Sequence, residues 1–537
     1  MRGRRSRVFP SASLVLVLVL VLVPGLLLCV GDYPGSIWRS HVISGPYARL
    51  LGSATDLGPS HQQAVQLTAE LRGPARPGEL IDWAHGRGLS VEWRDGDVWA
   101  TVAGPPDAMA RALNVPVHDY RNPRGEVFYA SPHQPAVPAA VSADVVEWGR
   151  ILGYTPYHES VPPYLPRDVP NQGLLPTELL TTYGVNSLAA GGFTGRGMTV
   201  VVFAFDGFDQ GDMDSFADWF SLPKFNPELM GDMPPQNHGE ATMDLQLIHA
   251  IAPDAKTVLV NARSTVEGDG PYVKLGRLME RVDRKYPGAV WSLSIGWGCD
   301  KLLTAADLAP VRQAVAKAHR NGTAVFDASG DLAGLECKNG RDWADRPSPD
   351  DIGVDAVASI PEITGVGGTT LSTDEEGTWL SEQAWYDIPL TQGSGGGAST
   401  LFARPAWQSR YMGGGPRARR LCPDVAAVAD PFTGVKFVHR RQVLVGGGTS
   451  QAAPIWAGIA AVMNQFLVSR GVGLLGDLNP LLYEIAEGAG VPGFRTIELG
   501  ANAVDQAHPG FDMVTGLGTP NVENLVKDLL VLKAAGR

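Results

Sequence analysis

Four short runs, Thr199–Phe205, Thr257–Val260, Val290–Ile295 and Thr323–Phe326, are apolar at nearly every successive position instead of at alternate ones. A strand with one face in water alternates; a run that is apolar throughout must be covered on both sides. Helical patterns at Met243–Ala252 and Leu308–Arg320 fall between these runs. Strands that alternate with helices fold into a parallel sheet between helix layers. The chain from residue 173 to 537 is therefore predicted to be a three-layer α/β domain with a mostly parallel central sheet. Active sites in such folds sit at the carboxyl ends of the strands.

The preceding part has a different pattern. Val65, Leu67, Ala69 and Leu71 alternate as a strand, and Pro77–His85 reads as a helix. Leu89–Trp93 and Val98–Val102 flank Asp95-Gly96, a hairpin turn signal. Pro105–Leu113 reads as a second helix and Val115–Tyr129 as further strand. The order β-α-β-β-α-β predicts an α+β, ferredoxin-like domain over residues 36–154. Residues 155–172 hold five prolines (Pro156, Pro162, Pro163, Pro166, Pro170) and little periodicity, the signature of an exposed, cleavable linker.

At the start, Arg2, Arg4, Arg5 and Arg7 precede an apolar run from Leu14 to Val23, the shape of an export signal over residues 1–31. No small-x-small cleavage site follows, so an uncleaved membrane anchor is the alternative. Nothing later reads as long enough to span a bilayer. A net charge of -12 with no basic stripe excludes a nucleic-acid surface and suits a protein working at low pH. Of the four cysteines, Cys29 lies in the signal. Cys299 and Cys337 each follow an expected strand end and are the expected disulfide, leaving Cys422 as a buried thiol; the spacing fits no zinc pattern.

The residues able to do chemistry lie in the second domain. In Gly446-Gly447-Gly448-Thr449-Ser450-Gln451-Ala452-Ala453-Pro454 three glycines allow a tight turn, and small residues then let a helix start close to the sheet. A serine there gains free backbone N–H groups and a positive local potential, both suited to a developing oxyanion. Glu240 and Asp244 stand four residues apart on a helix and share a face. Two such carboxyls repel, so one holds its proton tightly, and the pair can act as a general base backed by an orienting acid. Asp331 follows a buried strand in Asp327-Ala328-Ser329-Gly330-Asp331. Protonated, it could donate to an oxyanion; ionised, it would repel one.

Together these motifs resemble the sedolisin family, serine-carboxyl peptidases with a subtilisin-like fold. The similarity extends to Val366-Gly367-Gly368-Thr369-Thr370, Gly395-Gly396-Gly397-Ala398-Ser399, Arg404-Pro405-Ala406-Trp407, Pro423-Asp424-Val425-Ala426-Ala427 and Thr515-Gly516-Leu517-Gly518-Thr519-Pro520. The resemblance implies Ser450 as nucleophile, Glu240 as base, Asp244 as its orienting partner and Asp331 as oxyanion donor. It implies an N-terminal activation propeptide that inhibits intramolecularly, self-cleavage near the linker in acid, polypeptide substrates and a secreted monomer. Endopeptidase action is expected, with tripeptidyl-peptidase action also compatible. The substrate cleft maps to Ser294, Ile295 and Gly296, with Ile295 where an aromatic residue is common. A calcium ion (Ca2+) is implied near Asp512, with His508, Gly510 and Ile497 offering carbonyls. Thr496 stands where a second aspartate is expected, which weakens the site. Two rival readings remain: a subtilisin-type protease using His238 with Asp206, and an inactive sedolisin-like binding protein.

Overall fold

A computed structural model describes residues 40–155, 157, 173–338, 347–387, 392–415, 417–488 and 492–536. The expected export signal and most of the expected linker lie outside the described residues.

The apolar runs become a single eight-stranded sheet. Its strands are β1 (Thr199–Ala204), β2 (Glu228–Met230), β3 (Lys256–Asn261), β4 (Val290–Leu293), β5 (Ala324–Ala328), β6 (Thr364–Thr373), β7 (Trp379–Ala384) and β8 (Val425–Val428). They lie in the order β2-β3-β1-β4-β5-β6-β7, with β8 also paired to β6. Every pairing is parallel except β6 with β7. Side chains alternate between the two faces of a strand, and β1 shows the result. Val200, Val202 and Ala204 enter one core; Val201, Phe203 and the following Phe205 enter the other. The first core is shared with helices α1 (Glu240–Ile251) and α4 (Thr449–Ser469), the second with α2 (Pro271–Lys285) and α3 (Ala305–Arg320). Each fully buried aliphatic side chain contributes about 1.5–3 kcal/mol, so a sheet filled on both faces is held strongly in register.

Helix α4 runs through the first core. It is long and apolar enough to cross a membrane, but 78% of its apolar window is buried inside the protein. The expectation that nothing beyond the N-terminus reaches that length is corrected here. The cause is the core position: a helix covered on all sides needs no polar face.

In the N-terminal region four strands lie in the order Ser90–Glu92, Trp99–Gly104, Val65–Leu71, Val145–Trp148, all pairs antiparallel. Helices Gly78–His85 and Pro106–Leu113 accompany them. The fourth strand is not the Val115–Tyr129 run. That run folds on itself as the hairpin His118–Arg121 with Val127–Ala130. Asn122 fixes the turn, its side-chain oxygen accepting the N–H groups of Arg124 and Glu126, both at 3.0 Å. Short-range turn chemistry won over the longer strand.

The N-terminal region docks on α2 and α3. The Arg277 guanidinium reaches Asp97 at 2.6 Å, and the Gln313 side-chain oxygen accepts the Val98 N–H at 2.9 Å. Arg49 pairs with Asp351 at 2.6 Å farther along the same contact. The Cys299–Cys337 disulfide is present and Cys422 is a buried free thiol.

Candidate active site

Two helices begin side by side at the carboxyl end of the sheet, and each begins on a glycine that only glycine accommodates easily. Gly239 precedes α1 with φ 105°, and Gly448 precedes α4 with φ 82°. Neither residue offers a capping side chain, so the first N–H groups need acceptors from elsewhere. An aspartate supplies them in both cases. Asp206, just past the end of β1, accepts from the backbone N–H groups of His238 (3.0 Å) and Gly239 (3.1 Å) on Oδ2 and of Ala241 (2.9 Å) on Oδ1. Asp331, three residues past β5, accepts on Oδ1 from the Thr449 N–H at 2.7 Å and the Thr449 hydroxyl at 2.8 Å. That hydroxyl in turn accepts the Gly330 N–H at 3.1 Å. Oδ2 of Asp331 lies against Gly448, where an added Cβ would come within 2.7 Å of it.

Glu240 is the first residue of α1 and Ser450 the second of α4. Both are buried, and Asp244, one turn deeper, is wholly buried. Burial pushes the Glu240 carboxyl well above its ordinary range, and the charges of Asp244, Asp206 and Asp331 push the same way; the Ser450 hydroxyl opposes them by stabilising the ionised form. Asp244 is likewise raised, by burial and by Asp206, with the Ser294 hydroxyl opposing. Among the described residues neither carboxyl has a hydrogen-bond partner of conventional geometry. The Ser450 hydroxyl faces Glu240 and the Ser294 hydroxyl faces Asp244, each stabilising the ionised carboxyl it meets. The Ser294 hydroxyl donates to the Ser450 carbonyl oxygen at 3.1 Å, tying the end of β4 to the start of α4. Burial also raises Asp331, against the two Thr449 hydrogen bonds. A pair of facing carboxyls without a cation must share protons, so Glu240 and Asp244 titrate as a unit.

The sequence-predicted residues Ser450, Glu240, Asp244, Asp331 and Ser294 thus fall in one region. Ser294–Gly296 continues β4 past its end, but the Ile295 side chain is turned into the core shared with α2 and α3. Only its backbone is left to face a ligand; alternation along the strand decides this. Sequence reasoning gave Asp206 a different task, as the partner of a basic His238. With its oxygens taken by three backbone N–H groups, Asp206 is a helix anchor. Thr449 was not singled out at all, although a threonine beginning a helix invites attention as a hydrogen-bonding group.

The expected calcium ligands present a sparse donor set. Asp512 is buried, and its Oδ1 accepts the N–H groups of Val514 (2.8 Å) and Thr515 (2.7 Å), while the Thr515 hydroxyl reaches Oδ2 at 3.0 Å. Ile497 is buried, whereas Thr496 is exposed. Among the described residues the one grouping of three His, Cys, Asp or Glu ligand atoms is Cys299, Asp300 and Cys337, which contains the disulfide. A single carboxylate whose two oxygens already accept hydrogen bonds offers little charge to a cation, since affinity follows the number of charged ligands.

No family model matches the chain. It is 28% identical to kumamolisin from a Bacillus species over 525 residues, covering 90% of this chain and 87% of that protein. Tripeptidyl-peptidase 1 from Homo sapiens is 30% identical over 312 residues, so the match spans about half of that protein, 52% of its length and 54% of this chain. Among solved structures, Pseudomonas sedolisin, a serine-carboxyl proteinase complexed with two molecules of pseudo-iodotyrostatin, superposes with a TM-score of 0.57 at 26% identity, covering 68% of this chain and all of that one.

Proposed function

The chain belongs to the sedolisin family of serine-carboxyl peptidases, and on that premise we propose that it is an exported, acid-active endopeptidase that removes its own N-terminal region. The observation that carries this reading is the meeting of Ser450 with a buried pair of carboxyls, Glu240 and Asp244, that no cation among the described residues neutralises. Such a pair holds a proton in acid and accepts a second only at a cost, so it can take the hydroxyl proton of a serine where imidazole would already be charged.

A substrate strand pairs with the backbone of Ser294–Gly296, beyond the carboxyl end of β4. Ser450 Oγ attacks the scissile carbonyl as Glu240 takes its proton. Oδ1 of Asp331 is occupied by Thr449, so the proton it carries in acid sits on Oδ2 and is donated to the oxyanion, beside the Ser450 N–H. The C–N bond breaks when Glu240 returns its proton to the leaving amine, giving an acyl-enzyme on Ser450. Water, deprotonated by Glu240, attacks the ester, and the released Ser450 oxygen recovers a proton from Glu240.

The sign of the pH dependence follows. Asp331 works only below its raised pKa, and Glu240 works only once its pair has room for a proton, so the rate peaks in acid and falls toward neutrality. Incubation of the full chain across about pH 3–8, within the range where raised carboxyls titrate, tests this. Loss of the N-terminal region and hydrolysis of a denatured protein are expected below about pH 5. An optimum above neutrality would return the reading to a histidine base, and no cleavage at any pH would favour a binding protein. The apolar N-terminal segment supports export. Calcium held by Asp512 and the carbonyls of Ile497, His508 and Gly510 is proposed as a structural ion with no part in the chemistry.

A further inference from the structure

Thr449 begins α4 immediately before Ser450, and its side chain is buried. Its methyl group packs over Gly368 of β6, where an added Cβ would come to 3.4 Å from it. A β-branched side chain in a helix has little freedom about χ1. With the methyl placed against the sheet, the hydroxyl is directed to the loop after β5. There it accepts the Gly330 N–H at 3.1 Å and donates to Asp331 Oδ1 at 2.8 Å. The Gly330 N–H can only donate, so it occupies a hydroxyl lone pair and leaves the hydroxyl proton for Oδ1.

The main chain of that loop is held from its other side. The Gly330 carbonyl accepts the Gly395 N–H at 2.8 Å, and the Asp331 carbonyl accepts the Gly393 N–H at 2.9 Å. With its backbone pinned, the Asp331 carboxyl keeps only rotation about its own side-chain bonds. The Thr449 N–H at 2.7 Å and the Thr449 hydroxyl converge on Oδ1 and remove that freedom. An oxygen that already accepts two hydrogen bonds is a poor seat for a proton, and such bonds favour the ionised form. Oδ2 lies beside Gly448. Among the described residues the charged groups that face Asp331 are Glu240, at the start of α1, and the buried Glu336. Both are carboxyls, and neither donates a hydrogen bond when ionised. Thr449 is the group that tells the two Asp331 oxygens apart.

We infer that Thr449 is a positioning residue of the oxyanion site, its hydroxyl holding Oδ1 of Asp331 so that the carboxyl offers its proton from Oδ2, beside the turn that carries Ser450. This rests on the peptidase reading for the use of the proton, but not for the hydrogen bonds that place it. It also gives a task to glycines far away in sequence. Gly368 makes room for the Thr449 methyl, and Gly393 and Gly395 fix the loop that its hydroxyl grips. Loss of the hydroxyl has two effects of opposite sign. Fewer carboxyls present their proton on the working oxygen, so the rate falls. The ionised form loses a partner, so the proton is kept to higher pH.

The test compares Thr449→Val, which keeps the branching and loses the hydroxyl, with Thr449→Ser, which keeps the hydroxyl. Thr449→Ala replaces the valine variant should that chain not fold. In the first arm kcat is followed on a peptide substrate over about pH 3–8. Thr449→Val is expected to lower kcat at its optimum by about threefold to 10²-fold, less than the loss of an oxyanion donor itself. Its alkaline limb should move upward by about 0.5–1 pH unit, the scale of one hydrogen bond to a carboxylate. Thr449→Ser should return both to near the parent. A lowered rate with an unmoved limb, or a serine variant no better than valine, overturns the inference. The second arm needs no turnover. In the full chain carrying Ser450→Ala, the melting temperatures of the valine and serine variants are compared over the same pH range. A hydrogen bond to a carboxylate is stronger than one to the neutral acid, so the gap in favour of serine should widen by about one degree or more as pH rises. That widening supports the inference even if the wild type cleaves nothing, and a gap equal at every pH overturns it.

Discussion

The starts of α1 and α4 are built alike and used differently. Each begins on a glycine in the left-handed region, and each is capped by an aspartate from a strand end far away in sequence. Asp206 commits both oxygens to backbone N–H groups. Asp331 commits one, to Thr449, and keeps the other toward the site. The first arrangement holds a helix; the second holds a helix and, on the proposed reading, retains a titratable oxygen for chemistry. A carboxyl's role here is set by how many of its lone pairs the backbone consumes, more than by how deeply it is buried.

The contrast can be broken by experiment. Ser450→Ala removes the group that both helix starts serve, and activity should fall by at least about 10⁴-fold with full-length chain accumulating in acid; mass spectrometry of the incubated protein reads the outcome. Glu240→Gln should cost about 10²–10⁴-fold in kcat, with a melting temperature at pH 7 unchanged or higher, because a buried carboxyl is lost without losing a hydrogen-bond partner. Asp331→Asn should cost about 10²–10³-fold in kcat and extend the remaining activity to higher pH, while the fold holds. Asp206→Asn should do the reverse: an amide oxygen cannot accept all three N–H groups, so about 1–3 kcal/mol of stability is lost. If the two aspartate variants lose stability and activity in equal measure, the distinction between them fails.

A smaller effect concerns pH alone. Burial lifts Asp355 to about 7, and burial with nearby carboxylates lifts Glu147 to about 7. Their unfolded values lie near 4, so between about pH 4 and 7 the folded chain binds more protons and stability falls as pH rises. Asp351 works in the opposite direction. The hydrogen bonds from Ser348 and Arg49 hold it below its ordinary value, and its contribution is lost as pH drops through that lowered range. The melting temperature of the Ser450→Ala chain should therefore be higher at pH 5 than at pH 8; the opposite order would mean these carboxyls are hydrated in solution. The least effect is expected from a chelator, a shift of only a few degrees at most, given a single carboxylate at Asp512. A large shift would show that other ligands complete that site.

Much of this was legible in the sequence. The doubly covered strands announce themselves by apolar runs, and the Gly-rich turn before Ser450 carries its own geometric reason. Glu240 and Asp244 are readable from helical spacing because both lie on one short element. What escaped depends on contacts between distant segments. Asp206 looked like a strand-end acid with any of several uses, and only the three N–H groups converging on it decide among them. Thr449 was hidden behind its more reactive neighbour. The final strand at Val145–Trp148 is four residues long, too brief for periodicity to register, while the hairpin before it imitated one.

The fit at Gly448 has a consequence for anyone wishing to retune this protein toward neutral conditions. With Asp331 Oδ2 only 2.7 Å from where a side chain would begin, evolution and the engineer alike are confined to one partner of the two. Position 448 admits no alternative, while position 331 admits those of equal girth, with asparagine the nearest in outline. If the proposed role of Asp331 holds, adaptation to a new acidity passes through that exchange or rebuilds the turn.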